Sequence, residues 1–170
     1  MFSVIALRVL QRGGVVFGAA FDQDFFVKHI MVDKVENLDQ LKGSKYVQSR
    51  IGNAYIQVKE CLENDKYVLF SGTPCQVGGL RKFLGKEYEN LLTVDLICHG
   101  VPSPGILKNY LDRKKREDNN LQGMVFRDKV NGWKNVTVSY DYGDRKEFVR
   151  AVDDEFFYGF DRNYFLRPSC

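Results

Sequence analysis

No apolar run in the sequence approaches the length of a membrane span. The N-terminus carries neither the basic start nor the cleavage site of a secretory leader. A cytoplasmic protein with no membrane partner is therefore expected. Excess charge is also scarce: 25 Lys and Arg against 22 Asp and Glu leave +3, too little to argue for nucleic acid. The densest basic run, Arg113-Lys-Lys-Arg116, is followed at once by Glu117-Asp118 and reads as the solvated end of a helix. Internal repeats, low-complexity tracts and linkers are absent. Cysteine is limited to Cys61, Cys75, Cys98 and Cys170, with no short-spaced pair among them. That spacing excludes a zinc-finger or ferredoxin-type run, so any shared site has to be assembled by the fold. In a reducing compartment such cysteines point to metal, cluster or catalysis rather than to disulfides.

What is present describes an ordinary globular chain. With 170 residues, 44% hydrophobic and 28% charged, it is long enough for one domain with a real core. Phe2 to Leu10 reads as a helix stopped by Gly13-Gly14, and Val15 to Phe21 as a strand covered on both faces. Asp22 to Asp24 turns the chain into a second strand, Phe26 to Val32, in which His29 is expected on the exposed side. Asn37 caps a short helix through Leu41, and Gly43-Ser-Lys-Tyr-Val-Gln-Ser49 follows as a polar loop. That loop suits an anionic or aromatic ligand, or is a plain surface connection. Asn53 to Asn64 is a helix in which Cys61 is assigned to packing.

The chain is organised around Val68-Leu-Phe-Ser-Gly-Thr-Pro-Cys-Gln-Val77. A strand, Val68 to Ser71, stops at Gly72-Thr73-Pro74 and gives way to a helix, Gln76 to Leu84. Cys75 therefore falls where backbone N–H groups are unpaired and the helix dipole favours a thiolate. A nucleophile, a metal ligand and a small buried cysteine all suit such a place. Leu91 to Cys98 reads as a second buried strand ending in Cys98-His99-Gly100. Ser103 then caps a helix, Gly105 to Arg116, with Pro104 at its first position. If the two strands are parallel neighbours, both thiols lie on the carboxyl edge of the sheet, where open α/β folds bind ligands.

The tail changes character. Gly123 to Asp128, Val136 to Tyr142 and Phe148 to Val152 read as an antiparallel meander, and Glu155 to Phe165 as an aromatic helix. The expected architecture is α/β with an α+β tail: a mostly parallel central sheet with flanking helices over residues 1–118, then a small meander over 119–170, within one domain.

Several stretches together resemble the C-terminal region of the coenzyme F420 hydrogenase/dehydrogenase beta-subunit family. They are Arg12 to Phe21, Gly43 to Ser49, Phe70 to Gln76, Leu92 to Ser103, Phe126-Arg-Asp-Lys129 with Gly132-Trp133, and Tyr164 to Cys170. They run in family order across almost the whole chain. The resemblance implies flavoproteins with FAD and a 4Fe–4S cluster. Such proteins pass electrons between ferredoxin-like centres and a hydride-accepting small molecule, which is coenzyme F420 in archaeal members. It implies Cys75, Cys98 and Cys170 as cluster ligands, with the fourth expected beyond the C-terminus. The family pattern both begins earlier and continues further, so a fragment is expected. Ser44, Lys45, Tyr46, Gln48, Gly72, Thr73 and Gln76 are the candidate flavin contacts. His99 is either a proton donor or the cap of a turn. The implied partners are a ferredoxin-like domain or redox subunit, together with the hydride acceptor.

Two other readings stay open. One is a non-catalytic, partner-binding module of the same fold that uses Phe156, Phe157, Tyr158, Phe160, Tyr164 and Phe165 as an exposed interface. The other is a thiol enzyme with Cys75 as nucleophile and His99 as base.

Overall fold

The computed structural model describes residues 1–117 and 120–170, with the Glu117 side chain also outside the description. The expected boundary at 118/119, and Asp118 of the acidic end of the basic run, lie outside the described residues. The chain divides into two compact units, residues 1–42 with 49–99 and residues 43–48 with 100–170.

The first unit is a four-stranded sheet in the order β2-β1-β3-β4, built from β1 (Val15–Phe21), β2 (Val27–Val32), β3 (Val68–Gly72) and β4 (Leu91–Asp95). β1 and β2 form an antiparallel pair, whereas β1–β3 and β3–β4 are parallel. Strand alternation splits the apolar residues into two layers. Val15, Phe17, Val68 and Phe70 pack against Ala54, Val58 and Leu62 of α2 (Ala54–Glu63) and against Val77, Leu80 and Leu84 of α3 (Pro74–Leu84). On the other face Val16, Ala20 and Leu69 meet Ala6, Val9 and Leu10 of α1 (Phe2–Gln11), together with Leu38 and Leu41. Each internal strand is thus covered on both sides, which is why β1 and β3 read as near-continuous apolar runs.

Two expectations for this unit need correction. The segment before Lys42 is a 3-10 helix, Val35–Leu41, entered from Lys34 and not capped by Asn37. β4 ends at Asp95 and not at Cys98. It lies at the sheet edge, and its neighbour β3 turns into α3 after Gly72. Once the Leu96 N–H has bonded the Gly72 carbonyl at 3.1 Å, no strand continues alongside. The chain runs on irregularly, with Leu96 and Ile97 exposed.

The second unit holds α4 (Pro104–Glu117), the antiparallel sheet β5 (Gly123–Asp128), β6 (Thr137–Asp141) and β7 (Lys146–Arg150), and α5 (Glu155–Asp161). α4 starts where Ser103 and Pro104 predict, with the Gly105 N–H donating to Ser103 Oγ at 3.3 Å. The aromatic helix is shorter than the sequence suggests. Asn163, at φ 63°, reverses the chain, and Phe165 folds back onto Phe156 at a ring separation of 5.4 Å. This also corrects the exposed aromatic interface: Phe156 and Phe160 are buried, whereas Tyr158 and Tyr164 are exposed. Most of those rings are core, because no other apolar mass fills this unit.

A buried carboxylate ties the unit together. Asp154 caps α5 through a 2.8 Å bond from the Phe157 N–H. Its other oxygen accepts from the Tyr110 hydroxyl of α4 at 2.8 Å and from the Tyr140 hydroxyl of β6 by a short bond. Burial, with the Asp154 charge beside them, pushes both phenols well above their usual range. Nothing local in the sequence joins positions 110, 140 and 154, so this network is legible only in the fold. Among the described residues no helix is long and apolar enough to cross a membrane.

Candidate functional site

The turn from β3 into α3 is the best-organised part of the first unit. Thr73 is extended and precedes Pro74 at the first helical position, where a missing N–H costs nothing. The Thr73 N–H donates to Gln76 Oε1 at 3.0 Å, and Gln76 Nε2 donates to the Ser49 carbonyl at 3.3 Å. Both ends of the Gln76 amide are therefore committed to backbone. Tyr55 adds a 2.7 Å bond from its hydroxyl to the Gln76 carbonyl. A Cβ at Gly72 would lie 3.1 Å from both Gln76 Oε1 and a ring carbon of Phe70. The chain's own side chains thus fill the space beside that glycine.

Cys75, on the first turn of α3, is exposed, and its Sγ lies 3.1 Å from Thr73 Oγ1. Cys98 is exposed in the segment after β4. The parallel register couples Gly72 with Asp95, and each cysteine follows its member of that couple by three residues. The expected pairing of the two thiols with one sheet edge is therefore present. His99 beside Cys98 is also exposed. Cys61 is half-buried on α2, packed against the core with its Sγ 3.9 Å from Met31 Sδ, and burial pushes its thiol up.

His29 corrects the sequence expectation. It is buried because the segment around Arg50 adds to the outer side of β2, with the His29 N–H bonded to the Arg50 carbonyl at 2.8 Å. Its ring stacks on Phe70 at 5.2 Å. Nε2 meets the Ser71 carbonyl at 3.0 Å, and Nδ1 meets Ser49 Oγ at 2.7 Å. A carbonyl only accepts, so the proton sits on Nε2 and the Ser49 hydroxyl donates to Nδ1. Burial draws the pKa of this histidine down, with the bond to the Ser71 carbonyl opposing in part. Alternation within one strand misses such a residue because the covering segment is remote in sequence.

In the second unit, residues 43–48 join the aromatic core. Tyr46 packs edge-on or tilted against Phe126, Phe157 and Phe160, with centroids 5.6, 5.2 and 4.9 Å away. Gln48 Oε1 accepts from Arg167 Nη1 at 3.1 Å. Ser44 is exposed. Lys45 is half-buried, and loss of hydration lowers its pKa to about 8. The C-terminal segment is pinned in the same unit: Leu166 bridges Pro102, and the Arg167 N–H bonds the Val101 carbonyl at 3.0 Å. The Cys170 N–H closes a turn onto the Arg167 carbonyl at 2.9 Å. Gly100, at φ 135°, accepts this close approach: a Cβ there would fall 2.8 Å from Leu166 and 3.5 Å from the Cys170 Cβ. Cys170 is exposed and lies beside Gly100, two residues along the chain from Cys98. Among the described residues no three His, Cys, Asp or Glu side chains form a metal-holding group.

Comparison with known proteins gives a consistent picture. No curated protein matches the chain. Among solved structures, a chain of the xenon-derivatised F420-reducing [NiFe] hydrogenase complex from Methanosarcina barkeri superposes with a TM-score of 0.64 at 16% identity. All of the present chain is covered, and it spans 57% of that chain's length. At this identity the likeness shows a shared fold. The family model for the C terminus of the coenzyme F420 hydrogenase/dehydrogenase beta subunit matches residues 65–170, from just before β3 to the last residue. The chain therefore belongs to this C-terminal family of coenzyme F420 hydrogenase/dehydrogenase beta subunits and is an oxidoreductase domain of that type.

Proposed function

We propose that this chain is part of an iron–sulfur flavoprotein that moves electrons between a 4Fe–4S cluster, FAD and a hydride-accepting small molecule such as coenzyme F420. The observation that carries the reading is the shared edge, where Cys75 and Cys98 lie exposed beyond one register pair of parallel strands. Both fall inside the stretch that matches the family. Thiolate donors beside a helix N-terminus have the right chemistry for iron. Their number falls short: a 4Fe–4S cluster takes four thiolates, and no triple is gathered among the described residues. No step is therefore routed through a cluster.

FAD, when bound, supplies the electron and hydride chemistry. Its contacts in this reading are Ser44, Lys45, Tyr46, Gln48, Gly72, Thr73 and Gln76. Lys45, with a pKa of about 8, is largely protonated at neutral pH. A partly dehydrated ammonium attracts phosphate or ring oxygens more strongly than a fully hydrated one does. Gln76 fixes the Thr73 backbone, and the Thr73 hydroxyl orients the Cys75 thiol. His99 is the candidate proton donor.

Anaerobic reconstitution with FAD, iron and sulfide tests the assignment. Cys75→Ser and Cys98→Ser should each lose most of the iron bound by the parent chain. Lys45→Ala should lose FAD on gel filtration while its far-UV circular dichroism stays unchanged. Parental iron content in both serine variants would remove these thiols from the metal site. A full flavin complement in Lys45→Ala would remove the loop from the flavin site.

A further inference from the structure

The loop joining β5 to β6 carries a surface that the electron-transfer reading does not use. Trp133, the only tryptophan of the chain, is 65% exposed there. Arg127 Cζ lies 4.7 Å and Lys129 Nζ 5.1 Å from the centroid of its ring. Lys134 follows directly and is exposed, as are Val125 and Val130. The one carboxylate within this run is turned inward: Asp128 Oδ1 accepts from the Val130 N–H at 3.0 Å, and Oδ2 from the Ser139 hydroxyl at 2.8 Å. Among the described residues, Arg127, Lys129 and Lys134 form no ion pair.

The loop is also held in shape. Asn131 Nδ2 donates to Thr137 Oγ1 at 3.1 Å, and Asn135 Nδ2 donates to the Asn131 carbonyl at 3.1 Å. The Gly132 N–H bonds the Lys129 carbonyl at 2.9 Å. An exposed indole on a braced loop, flanked by uncompensated cations, has the composition of an interface anchor, since tryptophan and arginine dominate such hot spots. Order already present in the free state also lowers the cost of binding.

We propose that the β5–β6 loop is the docking surface for an acidic protein, with Trp133 as the anchor and Arg127, Lys129 and Lys134 as its charge-pairing groups. The cations over the indole decide between occupants. A stacking ring system would have to displace a cation from the ring it stacks on. A carboxylate-bearing protein surface pairs with the cations where they are and covers the indole edge and the exposed valines. The partner follows from the reading above that the chain exchanges electrons with another protein; the loop geometry does not depend on it.

Because Trp133 is the only tryptophan, intrinsic fluorescence reports on this surface alone. The chain is titrated with an oxidised acidic ferredoxin and with an Asp/Glu-rich peptide, and separately with inorganic phosphate and with FAD. Both acidic probes should give a saturable change. Affinity should fall about tenfold or more in Arg127→Glu/Lys129→Glu, and likewise on raising salt from about 50 mM to about 500 mM. The charge-reversed residues are on the surface, and circular dichroism checks that the variant folds. No saturable change with either acidic probe, or an unchanged affinity in the charge-reversed variant, overturns the proposal. So does saturation by phosphate or FAD without response to the acidic probes. The readout needs neither flavin nor cluster, so loss of those assignments leaves the result standing.

Discussion

At position 29 an ionisable ring sits between a carbonyl it bonds and a hydroxyl that bonds it, with Phe70 against its face. The folded chain favours the neutral ring, so its pKa lies below the ordinary 6.5. The unfolded chain therefore takes up the proton first as the pH falls. This contribution to stability is fully present above 6.5 and is lost as the pH drops from there towards the depressed native value. Urea midpoints between about pH 7.5 and about pH 5 should fall more steeply for the parent chain than for His29→Gln. Equal slopes would mean that the ring titrates alike in both states. The cysteines were more legible than this histidine. A strand, a glycine turn and a helix are local signals, and they fix where Cys75 and Cys98 emerge. What surrounds Lys45, Tyr46 and His29 comes from segments far away in sequence, and no local pattern encodes it.

Among the elements, the buried strands came through best from sequence. β1 and β5 occupy the ranges their apolar patterns suggest, and β3 extends one residue past its range into Gly72. Edges and ends came through worst, because they depend on a neighbour. β4 stops where β3 leaves it, and α5 stops where Asn163 turns the chain. α3 offers a test of what packing adds to propensity, since it carries two adjacent glycines in different surroundings. A Cβ at Gly78 would meet nothing within 4 Å, whereas one at Gly79 would lie 2.9 Å from the Tyr55 hydroxyl. Gly78→Ala should stabilise the chain by about 0.5–1 kcal/mol through helix propensity alone. Gly79→Ala gains the same propensity but must push Tyr55 off the Gln76 carbonyl, so a net loss of about 1–2 kcal/mol is expected. Chemical denaturation of the two variants side by side decides it. Equal effects would show that the Tyr55 contact moves aside at no cost.

For the whole molecule, the informative feature is that residues 43–48 leave the first unit and join the core of the second. The sequence shows this segment only as a polar loop with one aromatic, and its partners begin about eighty residues later, at Phe126. Tyr46 is the piece that commits it, with three phenylalanine rings around it. Truncating a fully buried aromatic costs about 3–5 kcal/mol. Tyr46 is half-buried, so Tyr46→Ala should cost about 2–3 kcal/mol. The loss belongs to one core only, since the sheet of the first unit is covered by α1, α2, α3 and the 3-10 helix without this ring. Native-state hydrogen exchange separates the two cores residue by residue. In Tyr46→Ala the amides of β6, Thr137–Asp141, should lose protection by the full destabilisation, while those of β3, Val68–Gly72, keep theirs. Equal loss at both strands would show that the chain opens as one cooperative body. In that case a change at the 43–48 loop would reach the cysteine-bearing edge through global opening alone, and the Lys45→Ala flavin test would have to be read at matched stability.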